Sequence, residues 1–220
     1  MTYRRPAMIT EPDVTLTDYG LAIECALFTY LVLRHGNPQQ PLRTWFALFF
    51  GSVSAAALTG GTVHGFFLNP DTAGHIILWR ATLIAIGVSA LAGWGIGATL
   101  LVSPGVARRI ILVAAVEFVA YSVLVLLVSQ RFMFAVINYL PAVIWLALAL
   151  AIMYARARQR PVLLGLAGLL LTFLAAGVQQ GGIALHPIYF NHNALYHAIQ
   201  AVGLFMIFRS ARWFVARGWR

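Results

Sequence analysis

The sequence predicts an all-α membrane protein: a seven-transmembrane-helix bundle with its N-terminus outside and its C-terminus cytoplasmic. Three observations predict it. The chain of 220 residues is 61% hydrophobic and 10% charged, which leaves too little polar surface to cover a soluble globule. Apolar runs long enough to cross roughly 30 Å of hydrocarbon recur along it. The basic residues gather on alternate connections between those runs.

The runs fall at 14–33, 44–68, 76–102, 110–128, 132–154, 162–185 and 193–208. Turn chemistry separates them. His35-Gly36-Asn37-Pro38 ends the first, Asn69-Pro70-Asp71 the second and Ser103-Pro104-Gly105 the third. Arg160-Pro161 opens the sixth, with proline where a helix start tolerates it. Ser129-Gln130-Arg131 carries the break between the fourth and fifth, and seven spans rather than six depend on that short polar segment. Pro141 is a candidate kink in the fifth. Residues 1–13 then form a polar N-terminal tail, 14–208 the bundle and 209–220 a basic cytoplasmic tail.

All 15 basic residues are arginine. With seven spans, eleven lie on one side: Arg34, Arg43, Arg108, Arg109, Arg156, Arg158, Arg160, Arg209, Arg212, Arg217 and Arg220. Four lie on the other: Arg4, Arg5, Arg131, and Arg80 just inside the third span. The positive-inside rule makes the arginine-rich side cytoplasmic. The arginines fall between apolar runs rather than on one basic face, which argues against nucleic acid as a partner. The expected surroundings are membrane lipids of a bacterial cytoplasmic (inner) membrane, with a membrane-protein partner or a second copy also open. The lone Cys25 precludes an intramolecular disulfide, and the polar first eighteen residues contain no apolar core of a signal peptide.

On that topology His64, His75, His186, His192 and His197 fall towards the outer side, together with Asp71, Asn138, Gln179 and Gln180. Glu24 and Glu117 lie within spans one and four. An ionisable group in hydrocarbon faces the bundle interior, pairs, or takes the neutral form, and it is the default place to look for function. His64 and His197 are embedded in spans; His75 and His186 are loop residues. On a continuous helix His192 and His197 point about 140° apart, so they converge only if His192 precedes the helix. Phe190-Asn191-His192-Asn193 is rich in capping residues, which places a helix start there. Thr59-Gly60-Gly61-Thr62 and Gly65 form a small-residue stripe on which another helix can pack closely.

A His late in span two and a His-containing motif opening span seven resemble the CREST-type membrane hydrolase superfamily, which includes alkaline ceramidases and the adipoQ receptors. Thr62-Val63-His64-Gly65-Phe66 and His192-Asn193-Ala194-Leu195-Tyr196-His197-Ala198 carry the resemblance. It implies a zinc-dependent lipid amide or ester hydrolase, with zinc on His64, His197 and either His192 or His75, and with Asp71 taking the proton of the zinc-bound water. Three positions differ from the superfamily pattern. Gly60 stands four before His64 in place of Ser, Asn193 four before His197 in place of His, and span three has no Asp. Two other classes stay open: a haem b protein using His64 and His197 as axial ligands, and a non-enzymatic subunit or sensor that binds a ligand in the His-rich pocket.

Overall fold

The computed structural model describes residues 9–35 and 37–217; Arg4, Arg5, Gly36 and Arg220 lie outside the described residues. The described residues form seven α-helices: α1 (Pro12–His35), α2 (Pro41–Phe66), α3 (Ala73–Leu101), α4 (Pro104–Val123), α5 (Phe132–Ala157), α6 (Arg160–Gln180) and α7 (His192–Arg217). All seven are long and apolar enough to cross a membrane.

The polar segment at 129–131 does separate two helices. α4 ends in a π-helical turn, Leu124–Val128, closed by Ser129 N–H donating to the Leu124 carbonyl at 2.9 Å. Ser129 is then extended, and α5 starts at Phe132. α6 stops at Gln180, short of the apolar run's end at 185, because Gly181 and Gly182 break it; Gly182 has φ +64°, which glycine adopts without a Cβ clash. α7 continues past 208 to Arg217, and Ala211, Phe214 and Val215 are buried. Residues 209–217 of the expected basic tail are therefore helix, with one face packed on the bundle.

Short connections reverse the chain at each turn, so odd and even helices run oppositely. α1 and α7 are parallel neighbours: Thr17 meets His197, and eleven residues further along both helices Phe28 stacks on Phe208 with centroids 4.1 Å apart. This sorts the molecule into two ends. One carries His64, His75, His186, His192 and His197; the other carries most of the arginines. Towards the arginine end Phe28, Phe50 and Phe208 pack edge-on and stacked into a solid aromatic floor. There too the Arg43 guanidinium donates to the Leu33 carbonyl (2.5 and 3.2 Å), satisfying an end-of-helix acceptor of α1.

Glycines set the spacing between helices. A Cβ on Gly61 would lie 2.6 Å from Asp18 Cβ, and one on Gly65 3.0 Å from the Thr15 side chain, so the stripe on α2 is where α1 seats. Gly168 and Gly203 do the same between α6 and α7, each facing the other's carbonyl oxygen. α3 takes large residues into its glycines: Trp45 over Gly95, Trp145 against Gly97 and Tyr121 against Gly87. Tyr121 also donates to the Leu83 carbonyl at 2.9 Å, which fixes α4 on the outside of α3.

Candidate binding cavity

Above the aromatic floor lies a cavity of about 320 Å³. Its walls come from α1, α2, α3, α5, α6 and α7. The polar groups Asp18, His64, His197, Gln179, Asn193 and Gln200 line it, against an apolar wall that includes Ile86, Ala135 and Val136.

At its centre is a buried pair. Asp18 is 5% and His197 9% exposed. Asp18 Oδ1 lies 3.3 Å from His197 Nε2, and Thr17 Oγ1 lies 3.2 Å from His197 Nδ1. Thr17 donates its own hydroxyl hydrogen to the α1 carbonyls of Asp13 (2.9 Å) and Val14 (3.0 Å). It can therefore only accept from His197, which assigns the Nδ1–H tautomer. One shared proton then occupies the contact between Nε2 and the Asp18 carboxyl. Thr17 positions the ring and is no nucleophile, since its hydrogen already serves the helix.

His64 stands nearer the surface. Its Nδ1 pairs with Glu11 Oε2 at 2.5 Å, with the side chains 27% and 34% exposed. The chain before α1 is tied over this mouth. Thr10 N–H and Oγ1 both donate to the Gly65 carbonyl (3.0 and 2.8 Å), and Asp13 Oδ2 accepts from Asn191 N–H at 2.9 Å. Across the cavity Gln179 Nε2 donates to Asn193 Oδ1 at 3.0 Å, linking α6 to the first turn of α7.

The other expected site residues lie elsewhere. Asn191 caps α7, its Oδ1 accepting from Asn193 N–H (2.9 Å) and Ala194 N–H (3.1 Å). His192 is therefore the first helical residue and not a preceding loop residue, so it points away from His197 and does not line the cavity. His75 Nδ1–H donates to the Phe67 carbonyl at 2.7 Å while its backbone N–H meets the Thr72 side chain, stitching α2 to α3. Asp71 is exposed in that same turn, its N–H bonded to Asn69 Oδ1, and forms no part of the cavity wall. His186 Nδ1 accepts from the backbone N–H groups of Ile188 and Tyr189, a loop-shaping role. Glu24 and Glu117 are half-buried outside the cavity wall, and Glu24 Oε2 is buried with no hydrogen-bond partner among the described residues.

A family of unknown function (DUF6962) matches residues 14–214. The chain belongs to that family. No curated protein and no solved structure matches it. The matched segment in this DUF6962 chain contains all the cavity-lining residues and leaves out Glu11, the partner of His64 at the mouth.

Asp18 is the site residue that sequence reading missed. It stands among the polar first eighteen residues and also inside the apolar run 14–33. The Thr17-Asp18 pair inside an apolar run was the available signal.

The donor set does not fit the three-His zinc site that the resemblance implies. Among the described residues no three His, Cys, Asp or Glu side chains form a metal-holding group. Only two of the four named histidines reach the cavity, and both ring nitrogens of His197 already have protein partners. The last point also removes His197 as an axial haem ligand in this arrangement, because such a ligand needs one nitrogen free for iron.

Proposed function

We propose that this is an integral membrane protein with its N-terminus outside and its C-terminus cytoplasmic, whose cavity binds a small amphipathic molecule from the non-cytoplasmic side as a sensor or ligand-binding subunit. The observation that carries this is the cavity itself. It is walled by six helices, with the polar side chains of Asp18, His64 and His197 beside apolar residues such as Ile86, Ala135 and Val136. A largely apolar pocket with a few convergent polar groups is the usual form of a small-molecule site. The distribution of arginines supports the orientation.

The test fills the cavity. Ala56 is a half-buried wall residue, so Ala56→Phe places a ring in the void while leaving the helix contacts in place. Saturable binding of a short amphiphile to the protein in nanodiscs should be lost in that variant. Equal binding by both proteins overturns the reading.

The zinc-hydrolase reading keeps one observation in its favour: His64 and His197 meet in one cavity together with a carboxylate. It requires His197 to exchange Asp18 or Thr17 for a metal. Stoichiometric zinc in the purified protein, lost in His64→Ala, would establish it over the binding reading. A Soret band would establish haem instead.

A further inference from the structure

The hydrogen bonds already made on the cavity wall limit the head group it can take. Asp18 and His197 share one proton, so that buried pair is neutral as a unit. His64 pairs with Glu11 at the mouth, where both are partly exposed and water screens them. No arginine lines the cavity among the described residues. Several donors are spent as well. Trp79 donates to the Gln130 carbonyl at 3.0 Å, and Thr82 and Ser89 donate to carbonyls of their own helix.

The capacity left in the buried part sits on uncharged groups. Gln179 Nε2 is engaged with Asn193 Oδ1, which leaves the Gln179 oxygen and the Asn193 N–H groups available. The Tyr139 hydroxyl, on α5, lines the cavity and makes no hydrogen bond among the described residues. Tyr196 of α7 stands next to Tyr139, and Gln200 next to the Tyr196 hydroxyl. One turn before Tyr139 on α5, Ala135 and Val136 join Ile86 of α3 on the apolar side. At about 320 Å³ the cavity is at the small end of ligand pockets, roughly 300–1,000 Å³, which suits one alkyl chain rather than a two-chain lipid.

We infer that the cavity takes an uncharged single-chain amphiphile, an alcohol or primary amide, with its head among Tyr139, Tyr196 and Gln200 and its chain along Ile86, Ala135 and Val136. This rests on the binding reading above and adds the ligand's class. A hydroxyl or an amide both donates and accepts, as the groups around it do. An ammonium or a carboxylate would be buried with no unpaired counter-charge, which burial penalises heavily.

The experiment compares four probes of one chain length, n-octanol, octanamide, n-octylamine and n-octanoate, on the full-length protein in zwitterionic nanodiscs at neutral pH. Binding that survives Ala56→Phe is subtracted as partition into lipid. Octanol and octanamide should each bind at least about tenfold more tightly than the protonated amine or the carboxylate. Tyr139→Phe should weaken octanol about three- to tenfold, the scale of one neutral hydrogen bond. The inference is overturned if the amine or octanoate binds as tightly as octanol, or if folded Tyr139→Phe holds octanol as tightly as the parent. Because the four-probe comparison uses the unaltered chain, it decides whether or not that variant folds. A charged probe that binds best removes this inference and leaves the cavity-binding reading standing. If none of the probes binds, that reading fails and this inference with it.

Discussion

Replacing Gly61 by alanine adds one methyl group, and the structure says where it lands. The new Cβ would stand 2.6 Å from Asp18 Cβ and 3.3 Å from the Tyr19 ring. Carbon atoms settle at about 3.5–4.0 Å, so α1 must retreat from α2 by about 1 Å. Neither contact is the loose end of a flexible chain: one is a Cβ fixed to the α1 backbone, the other a ring. Overpacking of this kind costs about 1–3 kcal/mol. The same retreat carries Asp18 off His197, whose Nε2 is already 3.3 Å from Oδ1, at the limit of a hydrogen bond. Gly61→Ala should therefore lower both stability and ligand affinity. Two neighbouring glycines are internal controls. A Cβ on Gly60 meets Thr82 at 3.5 Å, an ordinary contact, and one on Gly20 meets nothing within 4 Å. Gly20→Ala should be neutral or stabilising by up to about 1 kcal/mol through helix propensity. Reversible unfolding in mixed detergent micelles, followed by tryptophan fluorescence, measures all three. Gly61→Ala as stable as Gly20→Ala would refute the close α1–α2 seat.

Other consequences can be checked in the same way. Gly168→Ala puts a Cβ 2.5 Å from the Gly203 carbonyl oxygen; backbone cannot swing aside, so this variant should lose at least as much stability as Gly61→Ala, and its unfolding midpoint reports that. Asn191→Ala removes the cap of α7 and the acceptor of two N–H groups, a loss of about 1 kcal/mol visible as faster hydrogen exchange at 193–195. Asp71→Ala, in an exposed turn away from the cavity, should leave ligand affinity within twofold of the parent by titration; a large drop would return Asp71 to the site.

The span pattern was legible because hydrocarbon thickness forces about twenty apolar residues per helix, and local turn chemistry marked the ends. The break at Ser129-Gln130-Arg131, a helix start within Phe190–Asn193 and a small-residue stripe on α2 open to another helix could all be read from neighbours in sequence. Side-chain convergence could not. His75 satisfies the Phe67 carbonyl and His186 the N–H groups of its own loop, and nothing in composition separates such histidines from His64 and His197. The angle between His192 and His197 was computable beforehand, but the residue at which α7 starts decides its consequence. Asp18 reaches the cavity because α1 packs beside α7 in parallel, a pairing between the two ends of the chain that no local pattern encodes.

An experimental density map of the protein with a short amphiphile bound tests the central claim most directly. We expect elongated density in the cavity, with His197 still between Thr17 and Asp18. A compact metal-strength peak between His64 and His197, with their rings turned away from Glu11 and Asp18, would contradict it.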